Sequence, residues 1–302
     1  KELHPAVLSY LDLKPENFCR IETTVDGKRF ATPRGWEDLS GFLTVYEKLG
    51  ISCDREVVSQ YIPHGRIARD FASYLELYCK YQAHYQIDEA LSGHRSEALL
   101  EQAARAPFDE KLSVISLVLA KLNVEFRKTG KMEDSLELLF EKLKAVKERL
   151  AEDGDRTPVQ RLTAFIGEVR EEYEGKKQAG LLTRAQIHQY EDVCGTMDQY
   201  LLAAGEAEAQ DGEALFGMLA SRFGEEQEQY EDQCRAALQM VEYAFDFMEG
   251  AFGDSQEMVI FITELNTSYD AVRFLEENPC ERYYQYNRKL LFEDREADIK
   301  RK

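Results

Sequence analysis

The sequence is short of positive charge. Against 57 Asp and Glu residues it carries 38 Lys and Arg, a formal net charge of −19 at pH 7. An acidic surface repels phosphate backbones, which argues against nucleic acid or an anionic membrane as the main partner. Long apolar runs are also lacking. The best candidates, such as MVIFI at 258–262, fall far short of the roughly 18 residues a membrane-spanning helix needs. No secretory signal is visible. The six cysteines (Cys19, Cys53, Cys79, Cys194, Cys234, Cys280) include no C-x-x-C pair, so a zinc ribbon or dithiol redox site has no support. Reduced thiols in a cytoplasmic protein are the expectation.

The familiar catalytic motifs are missing as well. A phosphate-wrapping loop needs G-x-x-x-x-G-K-[ST]. Gly175-Lys176-Lys177 has no Ser or Thr after it, Gly167 lies too far upstream, and the stretch has a helical pattern. Inward Glu-x-x-His pairs of a di-metal bundle and a G-x-S-x-G elbow do not occur. His188 and Glu191 form the one close His/Glu pair at helical spacing, read as a surface ion pair. The acidic run 224–232 lacks the Asp-rich, glycine-turned loop that calcium requires and reads as a solvated helix face.

What is present is helix. Residues 4–11 read as a short helix, and 18–31 as two short strands around Asp26-Gly27, a dipeptide that favours a tight turn. Thr32 is placed to cap a helix and Pro33 to open it. Trp36, Leu39, Leu43 and Tyr46 form its buried face, and Gly50 ends it. A further short helix covers 54–62 and is broken by Pro63-His64-Gly65. The next helix carries Ile67, Phe71, Tyr74, Tyr78, Tyr81 and Tyr85 in a stripe that reads as core or an interhelical seam.

From about residue 86 long, charged helices dominate. Phe108, Leu112, Ile115, Leu119, Leu122 and Phe126 form one heptad-like stripe, and Leu136, Leu139, Leu143, Val146 and Leu150 another. Residues 152–158 read as a turn, with Thr157 and Pro158 opening a helix. A long helix over 213–249 has Leu219, Phe223, Tyr230, Cys234, Ala237, Val241 and Phe245 on its inner face, and two short helices follow in the tail. Narrow stripes on long helices predict antiparallel hairpins or coiled-coil-like packing. The expectation is therefore a mainly α protein with a small β-hairpin. Residues 1–85 would form a helical domain, and residues 86–302 an acidic, elongated, all-helical bundle module.

Arg34 stands out, because it puts a full positive charge in the first turn of a helix. There the partial charge is already positive, and an anion would relieve the cost. Pairing with Glu37 or Asp38 would relieve it too. Both readings are open on spacing alone.

Three strings, HPAVLSYLDLKPENF, FATPRGWEDLS and IPHGRIARDFASYLELY, resemble the helical lid that follows the ATPase core in MoxR-family AAA+ ATPases. The resemblance covers roughly residues 1–85. It implies that Arg34, preceded by Thr32 and Pro33, is the sensor 2 arginine that approaches the γ-phosphate of ATP, and that Gly65, Ala68 and Phe71 belong to the lid packing pattern. It also implies an ATP- and Mg-dependent chaperone or remodelling factor, assembled as a ring, usually a hexamer, and a von Willebrand factor A domain protein as a possible partner. Walker A, Walker B, sensor 1 and the arginine finger are absent from this sequence. The chain starts at Lys1 and not at methionine, and its first residues already read as helix. We therefore expect a lid and C-terminal module of a longer protein, not catalytic alone and binding no nucleotide by itself. The alternative is a stand-alone helical interaction or scaffold protein with no nucleotide function. A third possibility is a helical enzyme with a site assembled from distant residues.

Overall fold

The computed structural model describes residues 3–24, 27–85, 87–94, 96–152, 155–206 and 211–290, with side chains undescribed at 12, 13, 24, 77 and 80–85. It is mainly α with one small antiparallel hairpin. By compactness the chain divides into two units, Lys1–Phe126 with Leu238–Lys302, and Arg127–Ala237. The boundary expected at 85/86 lies within the first unit.

The first unit begins with α1 (Pro5–Leu13), a 3-10 turn (Pro15–Asn17), β1 (Arg20–Thr24) and β2 (Gly27–Ala31). The strands pair from Arg20↔Ala31 to Thr24↔Gly27. Of the expected Asp26-Gly27 turn, Asp26 lies outside the described residues. Next come α2 (Pro33–Leu49), α3 (Arg55–Tyr61), α4 (Gly65–Tyr85), α5 (Ile87–Ala90) and α6 (Glu97–Arg105). The stop signals work as the residue types dictate. Gly50 takes the left-handed conformation (φ 66°) that closes α2, and Asp54 caps α3 by accepting from the Val57 N–H.

The core of this region is aromatic. Tyr10, Trp36 and Phe71 are each almost wholly buried. Phe71 meets Trp36 edge-on at 5.2 Å and Tyr10 edge-on at 5.1 Å. The α4 stripe is core at Ile67, Phe71 and Tyr78. Tyr74 is half-buried and donates to Ser9 Oγ at 2.7 Å. The Tyr81 and Tyr85 side chains lie outside the described residues.

The long helices α7 (Phe108–Ala151) and α10 (Gly212–Phe252) each contribute residues to both units. In the first unit α7 differs from the narrow stripe expected of it. Phe108 is exposed, whereas Val114, Leu117 and Val118 are buried beside Ile115, Leu119, Leu122 and Phe126. No residue from 110 to 126 is exposed. A helix covered on all sides is an interior helix and not one strand of a two-sided seam. Lys111 reaches Glu257 at 2.9 Å and Phe126 stacks on Phe274 at 4.8 Å, which ties α7 to α11 (Gln256–Thr267) and α12 (Tyr269–Glu277). The helical segment at 281–290, α13, is held to α10 by Arg282, whose guanidinium faces Glu242, Asp246 and Glu249.

The second unit consists of the remainder of α7 and α10 with α8 (Pro158–Gln178) and α9 (Arg184–Glu206). The side-chain pairs give the registers. As α7 advances through Lys128, Phe140 and Leu150, its α10 partner steps back from Gln233 to Phe223 to Gly212. Lys142 pairs with Glu172 and Arg149 with Glu168, so α8 also runs antiparallel to α7. Arg170 pairs with Asp198 and Tyr173 with Glu191, which sets α9 antiparallel to α8. The unit is an up-down-up-down four-helix bundle, with Leu139, Leu143, Val146, Leu162, Val169, Val193, Met197 and Leu219 in its core. Of the expected α7 stripe from Leu136 to Leu150, Leu139, Leu143, Val146 and Leu150 are buried and Leu136 is half-buried. α8 starts with a complete capping box between Thr157 and Gln160. Hydrogen bonds from Lys142 and Lys176 hold the Glu172 carboxyl at about 2, well below the usual range.

The α1 cap carries a pH dependence. His4 is buried, accepts from the Ala6 N–H through Nδ1, and lies 3.1 Å from Glu47 through Nε2. Burial lowers its pKa below 6.5, with Glu47 opposing and Lys121 reinforcing the shift. The fold therefore favours the neutral ring. The stability this contributes is present above pH 6.5 and is lost as pH falls from there through the lower folded-state value. Urea midpoints at pH 7.5 and 5.5 should show the first unit weakening on acidification. His4→Asn keeps a good capping side chain and should flatten that difference. An equal loss in the variant would assign the effect to other groups.

Candidate functional site

The stretch Thr32–Trp36 opens α2, and nearly every residue in it has a visible structural task. Thr32 is extended (φ −132°, ψ 154°), and its Oγ1 accepts from the Gly35 N–H at 3.1 Å. Pro33 occupies the first helical position, where its missing N–H costs nothing. At Gly35 a Cβ would lie 2.5 Å from the Tyr61 carbonyl oxygen, so only glycine lets α2 approach the end of α3 this closely. Trp36 is fully buried, and its indole N–H donates to the Asn17 carbonyl at 3.0 Å.

Arg34 is the exception. Its side chain is 76% exposed, and among the described residues its ion pairs are with carboxylates of its own helix. Nε donates to Asp38 Oδ2 at 3.0 Å, and Nη1 lies 3.9 Å from Glu37 Oε2. No acidic residue falls in the first turn of α2. The arrangement presents a guanidinium, loosely held by i+3 and i+4 partners, at the positive end of a helix. Exposed pairs of this kind are worth only a few tenths of a kcal/mol, so an incoming anion would displace them at small cost.

A partly buried polar chain continues from the Asn17 that Trp36 holds. Asn17 Nδ2 donates to the Tyr10 hydroxyl at 2.9 Å, and that hydroxyl donates to Asp70 Oδ2 at 2.7 Å. Lys14 Nζ lies 2.5 Å from the same oxygen. Burial, then the bond to Asp70, pushes the Tyr10 phenol well up. Burial would also raise the Asp70 carboxyl, but hydrogen bonds from Lys14 and Tyr10 outweigh it and hold that group down. Sequence reading missed this network and the reason for Gly35. Tyr10 and Asp70 are sixty residues apart, and no local pattern joins them.

The remaining lid-pattern residues separate into two kinds. Ala68 and Phe71 are fully buried, whereas Gly65 faces open space. His64, buried before α4, accepts from the Ile67 N–H. Its Nε2 lies 3.2 Å from Glu22 Oε2 without the alignment of a hydrogen bond.

The other candidates are placed plainly. Gly175-Lys176-Lys177 lies inside α8, with its lysines on Glu172, Tyr190, Tyr173 and Glu191. His188 and Glu191 form an exposed pair at 3.3 Å on α9. The run 224–232 is part of α10 and mostly exposed. No disulfide joins the six cysteines among the described residues. Among the described residues no group of three or more His, Cys, Asp or Glu is placed to hold a metal ion, and no helix is long and apolar enough to cross a membrane. No protein-family model matches the chain, and no curated protein or solved structure matches it.

Proposed function

We propose that the chain is the lid and C-terminal helical module of a MoxR-like AAA+ ATPase, an ATP-dependent chaperone or remodelling factor of the cytoplasm. One observation carries the reading. Within Thr32–Trp36, the cap, the proline, the glycine and the tryptophan all build the fold, while Arg34 points to solvent at a helix N-terminus. In this reading Arg34 is the sensor 2 arginine. It supplies positive charge where negative charge accumulates on the γ-phosphate during transfer. The chain contributes that arginine but no phosphate-wrapping loop. ATP and Mg therefore belong to the ATPase core, and the chain alone is not catalytic. Its partners are that core and the neighbouring subunits of a homo-hexameric ring, with a von Willebrand factor A domain protein as a further one. The acidic helical module recognises a partner or substrate and is a poor match for nucleic acid.

The ion pair between Arg34 and Asp38 favours a second reading, a stand-alone helical scaffold. ATP hydrolysis by the full-length protein separates the two, with the isolated chain as control. Arg34→Ala should lower the rate tenfold or more, of order 1.4 kcal/mol in the barrier, with assembly unchanged. Equal rates, or an upstream reading frame without a phosphate loop, would leave the scaffold reading standing.

A further inference from the structure

A chain with a net charge of −19 contains a concavity with a basic lining. In the first unit the residue after α1, the 3-10 turn, β1 and the first turns of α4 line a half-open cavity of about 420 Å³. Lys14, Arg20, Arg66 and Arg69 line it, against the carboxylates of Glu16 and Asp70. Four cations face two carboxylates in the lining, and Glu22, which pairs with Arg20, adds a third, so the local surplus is one positive charge.

The cations are not equally committed. Lys14 is bound to Asp70 at 2.5 Å and Arg20 to Glu22 at 2.8 Å. Arg66 and Arg69 are exposed and form no side-chain ion pair or hydrogen bond among the described residues; Arg66 acts on Asp70 only at longer range. Both sit in the first turns of α4, a helix of 21 residues with no acidic residue in its opening turn. Two unpaired guanidiniums at the positive end of a long helix are unfavourable until an anion meets them. The floor of the cavity is fixed in advance. Asn17 is buried, its carbonyl is held by Trp36, and its side chain is held by Tyr10.

We infer that this cavity is a binding site for a phosphate dianion, either inorganic phosphate or the phosphoryl group of a small phosphomonoester. A phosphate group carries a charge of about −1.5 to −2 at neutral pH, which the two unpaired guanidiniums can meet, and the planar fork of arginine matches its oxygens. The cavity falls within the size range of small-molecule sites, roughly 300–1,000 Å³. A protein segment would need apolar anchors, and among the lining residues only Ile67 is apolar. The site is distinct from Arg34, which does not line it, and it stands whether or not the ATPase reading holds.

The test is isothermal titration of the chain with inorganic phosphate and, separately, with a sugar monophosphate, at constant ionic strength set by chloride. Saturable binding should be seen for at least one of them, and the tighter of the two identifies the source. The double variant Arg66→Ala/Arg69→Ala, whose side chains are exposed and which should keep the wild-type circular dichroism, should lose at least about tenfold in affinity. Arg105→Ala, on α6 and paired with Glu101, should bind as the wild type does. Heats that fail to saturate, equal affinity in the double variant, or loss in Arg105→Ala would each overturn the assignment. So would tighter binding of hexaglutamate with displacement of phosphate.

Discussion

Phe71→Ala should lower the stability of the first unit by about 3–5 kcal/mol, the usual cost of emptying a buried phenylalanine site. The ring is fully buried and serves two contacts at once. It meets Trp36 of α2 and Tyr10 of α1 edge-on, so it is where α4 clamps both helices. An edge-to-face aromatic pair adds about 0.5–1.5 kcal/mol beyond the area it buries, and here one truncation removes two such pairs. The polar chain above is tied to the same rings, because Tyr10 and Trp36 both hold Asn17. Loosening them would expose that carbonyl and amide without partners. The readout is built in. Trp36 is the single tryptophan, so its emission reports on this unit alone. The urea midpoint should fall steeply and the native emission should move to the red. A loss below about 1 kcal/mol, less than a single buried methyl group or two, would mean that this cluster does not hold the three helices together.

Gly35→Ala should destabilise by about 1–3 kcal/mol, as overpacking at a rigid contact does. The sign is the informative part. Glycine inside a helix is ordinarily worse than alanine by about 0.5–1 kcal/mol, so helix propensity alone predicts a gain. The structure predicts a loss, because the new methyl group would sit 2.5 Å from the Tyr61 carbonyl oxygen. That oxygen belongs to backbone and cannot rotate away as a side chain would. Arg34→Ala, one residue earlier, removes an exposed guanidinium and its ion pairs to Glu37 and Asp38 and should stay within about 0.5 kcal/mol. Thermal unfolding of the two variants side by side tests both statements. A stabilised Gly35→Ala would show that α2 and α3 are further apart than described. A strongly destabilised Arg34→Ala would give the arginine a structural role and weaken its assignment as a nucleotide sensor.

The elements that were legible in the chain are those whose causes are local. α2 begins at Thr32-Pro33 and ends at Gly50 because capping, proline geometry and a left-handed glycine act over one turn. The hairpin was legible from the Asp26-Gly27 dipeptide, and four of the five residues of the stripe from Leu136 to Leu150 from their helical spacing, both short-range signals. Arg34 was singled out by its position relative to a helix start, again a local property.

Only the tertiary structure decided the rest. A heptad-like stripe marked one face of α7, yet residues 110–126 are covered all round, because burial depends on how many other elements surround a helix and not on its own period. The registers of α7, α8, α9 and α10 come from pairs such as Lys142–Glu172 and Phe140–Phe223; several antiparallel registers satisfy the same stripes, and side-chain pairing selects among them. The need for glycine at 35 comes from a carbonyl 26 positions later in the chain. The basic cavity gathers Lys14, Arg20, Arg66 and Arg69 from three elements that sequence keeps apart. The residue types and their spacing thus determined where helices start, stop and turn an apolar side inward. Which sides meet, and which charges converge, followed from folding distant segments together, since contact energies between them leave no trace in any local pattern.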